Sequence, residues 1–255
     1  MEDTQPLLSV RDVHRAFGGV KAVDGATFTA LRGRVTGLIG PNGAGKSTLM
    51  GIIAGAIPAD SGTIEFDGAD VTALPAHKMA RLGLIRTFQL SAEFSKLTVL
   101  ENLLVAAPAQ KGESLLGAEL GRLYWGRDED VLVARARAVL DRFAMSPKEN
   151  ELAGNLSGGQ KRLLEIMRAL MAHPKLVLLD EPFAGVNPTL AREIEQYLLG
   201  LRDEGLSMVM VEHELGVVER LCDPVVVMAQ GKVIAEGSMH EVAARQEVLD
   251  AYLIG

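Results

Sequence analysis

With one cysteine in 255 residues, Cys222, the chain cannot form an internal disulfide. That residue reads first as a small buried hydrophobe, with thiol reactivity or acylation as the alternatives. Aromatic residues are scarce, at 4%, and positive charge is outnumbered, since 26 Lys and Arg against 33 Asp and Glu give a net charge of −7. Surfaces that neutralise nucleic-acid phosphates need the opposite balance, so no nucleic-acid partner is expected. The chain is 48% hydrophobic, yet it has no uncharged apolar run near the roughly 18 to 20 residues that span a bilayer. MEDTQPLL lacks the basic and apolar regions of a secretory signal, which points to a cytoplasmic location. Tandem repeats of the motifs are missing too.

What is present begins at GPNGAGKST, residues 40 to 48. Gly40, Gly43 and Gly45, with Pro41, Asn42 and Ala44 between them, leave backbone N–H groups free to wrap an anion. Lys46 brings a charge to terminal phosphates, and Ser47, followed by Thr48, offers a hydroxyl to Mg²⁺. VTGLI before the loop reads as a buried strand, and STLMGIIAG after it reads as a helix whose N-terminus faces the phosphates. A glycine-rich turn without function does not explain strand, loop and helix together.

Around this loop, LLSVRDVHRAF, KAVDGATFTALRGRV and TIEFDGADVT alternate as short strands of an antiparallel β layer. After Gln89 the pattern turns helical, through LTVLENLLVAA and then VLVARARAVLDRF, where Val133, Ala136, Leu140 and Phe143 recur at helical spacing. Between these lies KGESLLGAELGRLYWGRDED, whose Leu115, Leu116, Leu120, Leu123, Tyr124 and Trp125 fit either core or an apolar contact for a membrane partner. KLVLLD and SMVMVEH read as buried parallel strands separated by a helix from about Pro188 to Leu201, and VVVMAQGKVIAEG reads as a hairpin. The expected fold class is α/β, with a mixed, mainly parallel sheet behind the phosphate loop, an antiparallel β layer and an inserted α-helical lobe. As one domain, it would place the nucleotide core at 1–89 and 166–255 and the lobe at 90–165.

Two further motifs narrow the chemistry. LSGGQ, 156 to 160, sets Ser157, Gly158, Gly159 and Gln160 before the apolar-patterned KRLLEIMRALM, making a second helix N-terminus suited to phosphate. A capping serine alone is the plainer reading of Ser157. LVLLDEP puts Asp180 and Glu181 at the end of an apolar strand, where α/β proteins place their ligand chemistry.

With GPNGAGKST, LSGGQ and LVLLDEP in this order, the sequence resembles the ATP-binding cassette family over nearly its whole length. The resemblance implies ATP and Mg²⁺ as cofactors and a head-to-tail dimer in which LSGGQ of one subunit closes over the ATP on its partner's phosphate loop. It implies that Asp180 supports Mg²⁺ through water, that Glu181 orients and deprotonates the attacking water, and that His213 in MVEHE contacts the γ-phosphate. Gln89 in RTFQ then joins Mg²⁺ to the helical lobe. Phe17 stacks on adenine, with Val23 as a second contact. A β-layer core aromatic is the plainer reading of Phe17.

RTFQ, LTVLENLLVA, LDEPFAGVNP, GKVIAEG and the terminal AYLIG are most similar to ATP-binding subunits of branched-chain amino-acid uptake transporters. Leu90, Lys161 and Met167 depart from the residues common in that group, leaving the solute open. The resemblance implies two polytopic membrane subunits, an extracytoplasmic solute-binding protein and a place on the cytoplasmic face of the membrane. It also implies a groove beside Gln89 lined by some of Leu90, Phe94 and Leu97, with core burial the alternative for Phe94. Other readings are the ATPase of an envelope-lipid or lipopolysaccharide exporter and a soluble ATPase of assembly or remodelling.

Overall fold

The computed structural model describes residues 5–87, 93–108 and 122–254, and for 122–128 and 254 the description is of the backbone. Gln89 and Leu90, like Leu115, Leu116 and Leu120, lie outside the described residues. The chain forms two compact units, one of Met1–Gln89, Lys175–Ala184 and Ala191–Gly255, the other of Leu90–Pro174 and Gly185–Leu190.

In the first unit, short apolar segments become the centre of a six-stranded sheet. β3 (Val35–Ile39), β7 (Leu176–Asp180) and β8 (Ser207–Val211) are buried at every position, as strands covered on both faces must be. With β6 (Leu84–Arg86), β9 (Val225–Ala229) and β10 (Lys232–Gly237) they run in the order β10-β9-β3-β8-β7-β6. All neighbouring pairs are parallel except the edge pair β9 and β10, the expected hairpin.

The expected antiparallel layer is a second sheet, in the order β2-β1-β4-β5, built from β1 (Pro6–Phe17), β2 (Val20–Leu31), β4 (Ser61–Phe66) and β5 (Ala69–Asp70). Asp67 and Gly68 join β4 to β5 with φ of 53 and 79, the doubly positive pair of a tight hairpin turn whose twist matches its strands. α1 (Lys46–Ile53) buries Leu49, Met50, Ile52 and Ile53 in one core with Leu8, Val10, Phe28, Ile64 and Phe66 from the antiparallel sheet. Leu38, Leu178, Val209 and Met228 reach the same core from the parallel sheet. Elsewhere in the unit are α2 (Ala76–Leu82), α7 (Leu215–Leu221), α8 (Met239–Ala243) and α9 (Gln246–Ile254).

Helices α3 (Val99–Ala106), α4 (Arg122–Arg142) and α5 (Gly158–Met171) make up most of the second unit, and α6 (Pro188–Asp203) begins in it. Thr98 caps α3 through a reciprocal box with Glu101. Asn102 is fully buried and ties down the preceding turn, accepting from Phe94 N–H at 2.9 Å and donating to the carbonyls of Phe94 and Thr98. Ala136, Leu140 and Phe143 are buried at their expected spacing, while Val133 is half-buried. α4 starts at Arg122, so the backbone of Leu123, Tyr124 and Trp125 is helical. The sequence reading returns the chain to the core at 166, whereas α5, capped at Ser157, runs unbroken to Met171 and the first unit resumes at Lys175.

Cys222 is buried, 5% exposed, and burial pushes its thiol up to about 12, which makes it an inert core residue. Phe94 is 47% exposed and carries the Arg168 guanidinium over its ring at 5.1 Å, so it is not a core residue.

Asp67 links its turn to Arg32, by a short contact, and to Lys175 at 2.5 Å, and these partners hold its carboxyl at about 2 against an ordinary 3.8. A depressed folded pKa stabilises above the unfolded value and loses that contribution as pH falls through the folded one. Asn tolerates the left-handed backbone here, so Asp67→Asn isolates the charge. We expect the variant to be less stable than the parent at pH 7, with the gap closing between pH 3.8 and about 2; urea unfolding across that range measures it.

Candidate functional site

The phosphate loop leaves the end of β3 and enters α1 at Lys46, and its shape depends on two glycines. A Cβ on Gly40 would lie 2.0 Å from the Met228 carbonyl oxygen, and one on Gly45 would lie 2.2 Å from that of Ala22. Both have positive φ, so any other residue would be strained as well as blocked. Asn42, Gly43 and Ser47 are exposed, Pro41, Gly45 and Thr48 partly so, and Ala44 is packed in the core.

Lys46 is only 6% exposed. Its Nζ donates to the carbonyl oxygens of Gly40 at 2.8 Å and Pro41 at 2.9 Å, so the loop it serves also solvates it. Burial pushes its pKa below the usual lysine range, and the negative charges of Glu181 and Asp180 pull it back. The loop, Lys46 and the two carboxylates therefore form one electrostatic cluster.

Asp180 ends β7 with 1% of its surface exposed and accepts from Arg86 Nη2 at 2.9 Å through Oδ2. Its other oxygen, Oδ1, is buried without a hydrogen-bond partner among the described residues. One residue on, Glu181 turns into the left-handed region at φ 50. That is strained for a side chain of this size and unusual before proline. The turn sends the two adjacent carboxylates into different surroundings: Asp180 stays buried, while Glu181 is partly exposed with Oε1 3.1 Å from His213 Nε2. Such outliers persist where the surrounding structure over-determines them, and they cluster at active sites.

Three residues that sequence reasoning missed complete this part. Glu212, 6% exposed, accepts from Phe183 N–H at 3.2 Å and from His213 N–H at 2.9 Å, joining the turn after Glu181 to the histidine. Its only signal was a carboxylate closing an apolar strand. Arg86 reaches Asp180 across 94 positions, which no local pattern announces. Tyr252 stands near the Gly40 N–H, which works against the rise that burial gives its hydroxyl pKa.

Phe17 closes β1 opposite Val20, beside the Gly18-Gly19 turn, and is 47% exposed. The core-aromatic reading does not hold. Val23 does not join it: at 1% exposure its side chain is part of the core, leaving no surface for the base contact expected of it.

In the second unit, Ser157 caps α5. Its hydroxyl accepts from Gln160 N–H at 3.4 Å, and Gln160 Oε1 accepts from Ser157 N–H at 3.0 Å. Ser157 and Gly158 are exposed, while Gly159 is buried where a Cβ would meet Leu190 at 2.3 Å. The cap is compatible with the expected anion at this helix start, since capping leaves N–H groups of the first turn unpaired.

A phosphate loop with a buried lysine, a strand-end carboxylate pair and a facing histidine define a P-loop ATPase core on an α/β fold. The chain belongs to the ABC transporter family, whose model matches residues 23–184. Over 97% of its length it is 39% identical to a probable branched-chain amino acid transport ATP-binding protein of Archaeoglobus fulgidus, covering 95% of that protein. A protein of the same description from Methanocaldococcus jannaschii is 38% identical, with 99% of each chain covered. Among solved structures, an ATP-binding cassette in its ADP conformation superposes with a TM-score of 0.85 at 37% identity, covering 98% of this chain and 99% of that one. The chain is thus a nucleotide-binding ATPase.

Glu181→Gln keeps the size and the backbone turn while removing basicity. We expect ATP to bind with unchanged affinity and turnover to fall by about 10² to 10⁴, read by equilibrium binding beside phosphate release. Near-parental turnover would assign water activation to another group.

Proposed function

We propose that this chain is the ATP-hydrolysing subunit of a transporter that imports branched-chain or related amino acids. The observation that carries this reading is the near-full-length similarity, at 39% and 38% identity, to proteins described as serving branched-chain amino acid transport. A protein from Pseudomonas aeruginosa described as a high-affinity branched-chain amino acid transport ATP-binding protein, 34% identical over 98% of each chain, supports it too. Among the described residues no helix is long and apolar enough to cross a membrane. Transport then needs partners: two polytopic permease subunits, a second ATPase subunit and an extracytoplasmic solute-binding protein, with this chain on the cytoplasmic face.

In this reading the N–H groups of residues 40 to 48 wrap the phosphates and Lys46 turns its ammonium from the loop carbonyls to the terminal phosphate. Phe17 takes the adenine. Glu181 accepts the proton of the attacking water, and His213, braced by Glu212, holds the γ-phosphate side of the site. The residues also fit Mg²⁺: Ser47 is exposed at the start of α1, and the free Oδ1 of Asp180 suits the hydration shell of a cation. Bound with nucleotide, Mg²⁺ supplies neutralisation of phosphate charge. Gln89, outside the described residues, is the proposed link from this cation to the second unit. Ser157, Gly158 and Gly159, with Gln160 holding the cap, offer their helix start to the nucleotide of the second ATPase subunit, a copy of this chain or a related one.

Ser157→Arg should leave ATP binding to the chain's own loop intact and abolish hydrolysis. A mixed dimer with Lys46→Ala should retain at most one working site, measured as phosphate release against mixing ratio. Normal hydrolysis by the Ser157 variant would contradict the shared-site mechanism. For the transport assignment, the tagged chain purified from membranes should bring two polytopic subunits with it. Their absence, with a soluble assembly in their place, would favour the remodelling reading.

A further inference from the structure

The end of β1 carries an arrangement that core packing does not require. The Arg15 guanidinium lies over the Phe17 ring with its carbon 4.8 Å from the ring centroid. Asp60, just before β4, grips three consecutive residues there. One carboxylate oxygen accepts from Arg15 Nη1 at 2.7 Å, the other accepts from Ala16 N–H at 2.7 Å, and Asp60 N–H donates to the His14 carbonyl at 2.8 Å. The Ala16 hydrogen bond, joined by the hydrogen bond and charge of Arg15, holds the Asp60 carboxyl below the usual range against the desolvation that opposes them.

The hairpin tip beside the ring is open. Gly18 and Gly19 beside it have no atom within 4 Å of where a Cβ would stand. The Phe17 side chain remains 47% exposed although one face is occupied by the cation. An aromatic at a bare hairpin tip would otherwise sample several rotamers, and fixing it would cost entropy when a base arrives.

We propose that Arg15, anchored by Asp60, is a positioning residue for the adenine base: it backs one face of Phe17 and thereby presents the other, already oriented, for stacking. The proposal rests on Phe17 being the adenine platform. Two effects act in the same direction. The ring is held in one orientation before the nucleotide binds, and the cation draws π-density toward itself, lowering the repulsion that a purine π-face meets on the far side. The competing account, in which Arg15 merely attracts negative charge, would act on any phosphate chain alike.

The test compares ATP with inorganic tripolyphosphate, which has the charge but no base. Full-length Arg15→Gln, Arg15→Lys, Asp60→Asn and Phe17→Ala are assayed for KM and kcat with ATP. Displacement of a ribose-labelled fluorescent ATP by ATP and by tripolyphosphate gives the two affinities. For Arg15→Gln we expect ATP KM and Kd to rise about three- to fivefold, with kcat at saturation and tripolyphosphate affinity unchanged. Arg15→Lys, which keeps the charge but not the flat fork, should fall between parent and Gln, as should Asp60→Asn. Phe17→Ala should weaken ATP by about tenfold or more.

Parental ATP affinity in Arg15→Gln and Arg15→Lys, with Phe17→Ala impaired, overturns the role of Arg15 and leaves the platform standing. An unimpaired Phe17→Ala overturns the platform and the proposal with it. Equal weakening of ATP and tripolyphosphate in Arg15→Gln also overturns it, reducing Arg15 to a general attractor of negative charge.

Discussion

A buried ammonium sets the terms for the nucleotide-binding unit. Lys46 has almost no contact with solvent, and removing such a charge from water costs several kcal/mol unless the protein replaces the lost hydration. Here the replacement is the loop itself, through the carbonyls of Gly40 and Pro41, with Asp180 and Glu181 supplying long-range compensation. Each of these depends on a strand being where it is. The loop hangs from β3, Asp180 closes β7, and β8 between them carries Glu212 and His213 just past its end. A polyphosphate arriving at the loop meets a cation whose present partners are neutral dipoles, which it can outcompete.

The same logic explains the distortion at Glu181. Two consecutive carboxylates on a regular strand would point to opposite faces. The left-handed turn at Glu181 leaves Asp180 buried against Arg86 and carries Glu181 to the histidine. Glu212 then ties the segment after that turn to the end of β8, accepting from Phe183 N–H and His213 N–H, so the strained segment is anchored by a buried acceptor.

Much of this was legible in the sequence because its signals are local. Five-residue apolar runs ending in Asp or preceding glycine read as buried parallel strands, and the three glycines around Lys46 and the Ser-Gly-Gly start of α5 announce anion-facing helix ends. The antiparallel layer showed itself by alternation and by tight glycine turns. What stayed hidden joins distant positions or contradicts local preference. Asp60 gripping residues 14 to 16, Arg86 holding Asp180, and Tyr252 meeting Gly40 all bridge segments that only the fold brings together. Val23 was expected beside the base on the resemblance alone, and the structure puts its side chain in the core. The positive φ of Glu181 was unreadable, since a residue before proline is ordinarily extended.

The central claim is that the Lys46 ammonium is stored on loop carbonyls and released to the terminal phosphate while Glu181 faces the attacking water. The most direct measurement is a crystal structure of the Glu181→Gln chain grown with ATP and Mg²⁺. The account predicts the γ-phosphate within hydrogen-bond distance of Lys46 Nζ and His213, a water beside Gln at 181, and the Ser157 helix start of a second copy against the same phosphate. A bound ATP whose terminal phosphate lies away from Lys46, with Nζ still donating to Gly40 and Pro41, would contradict it.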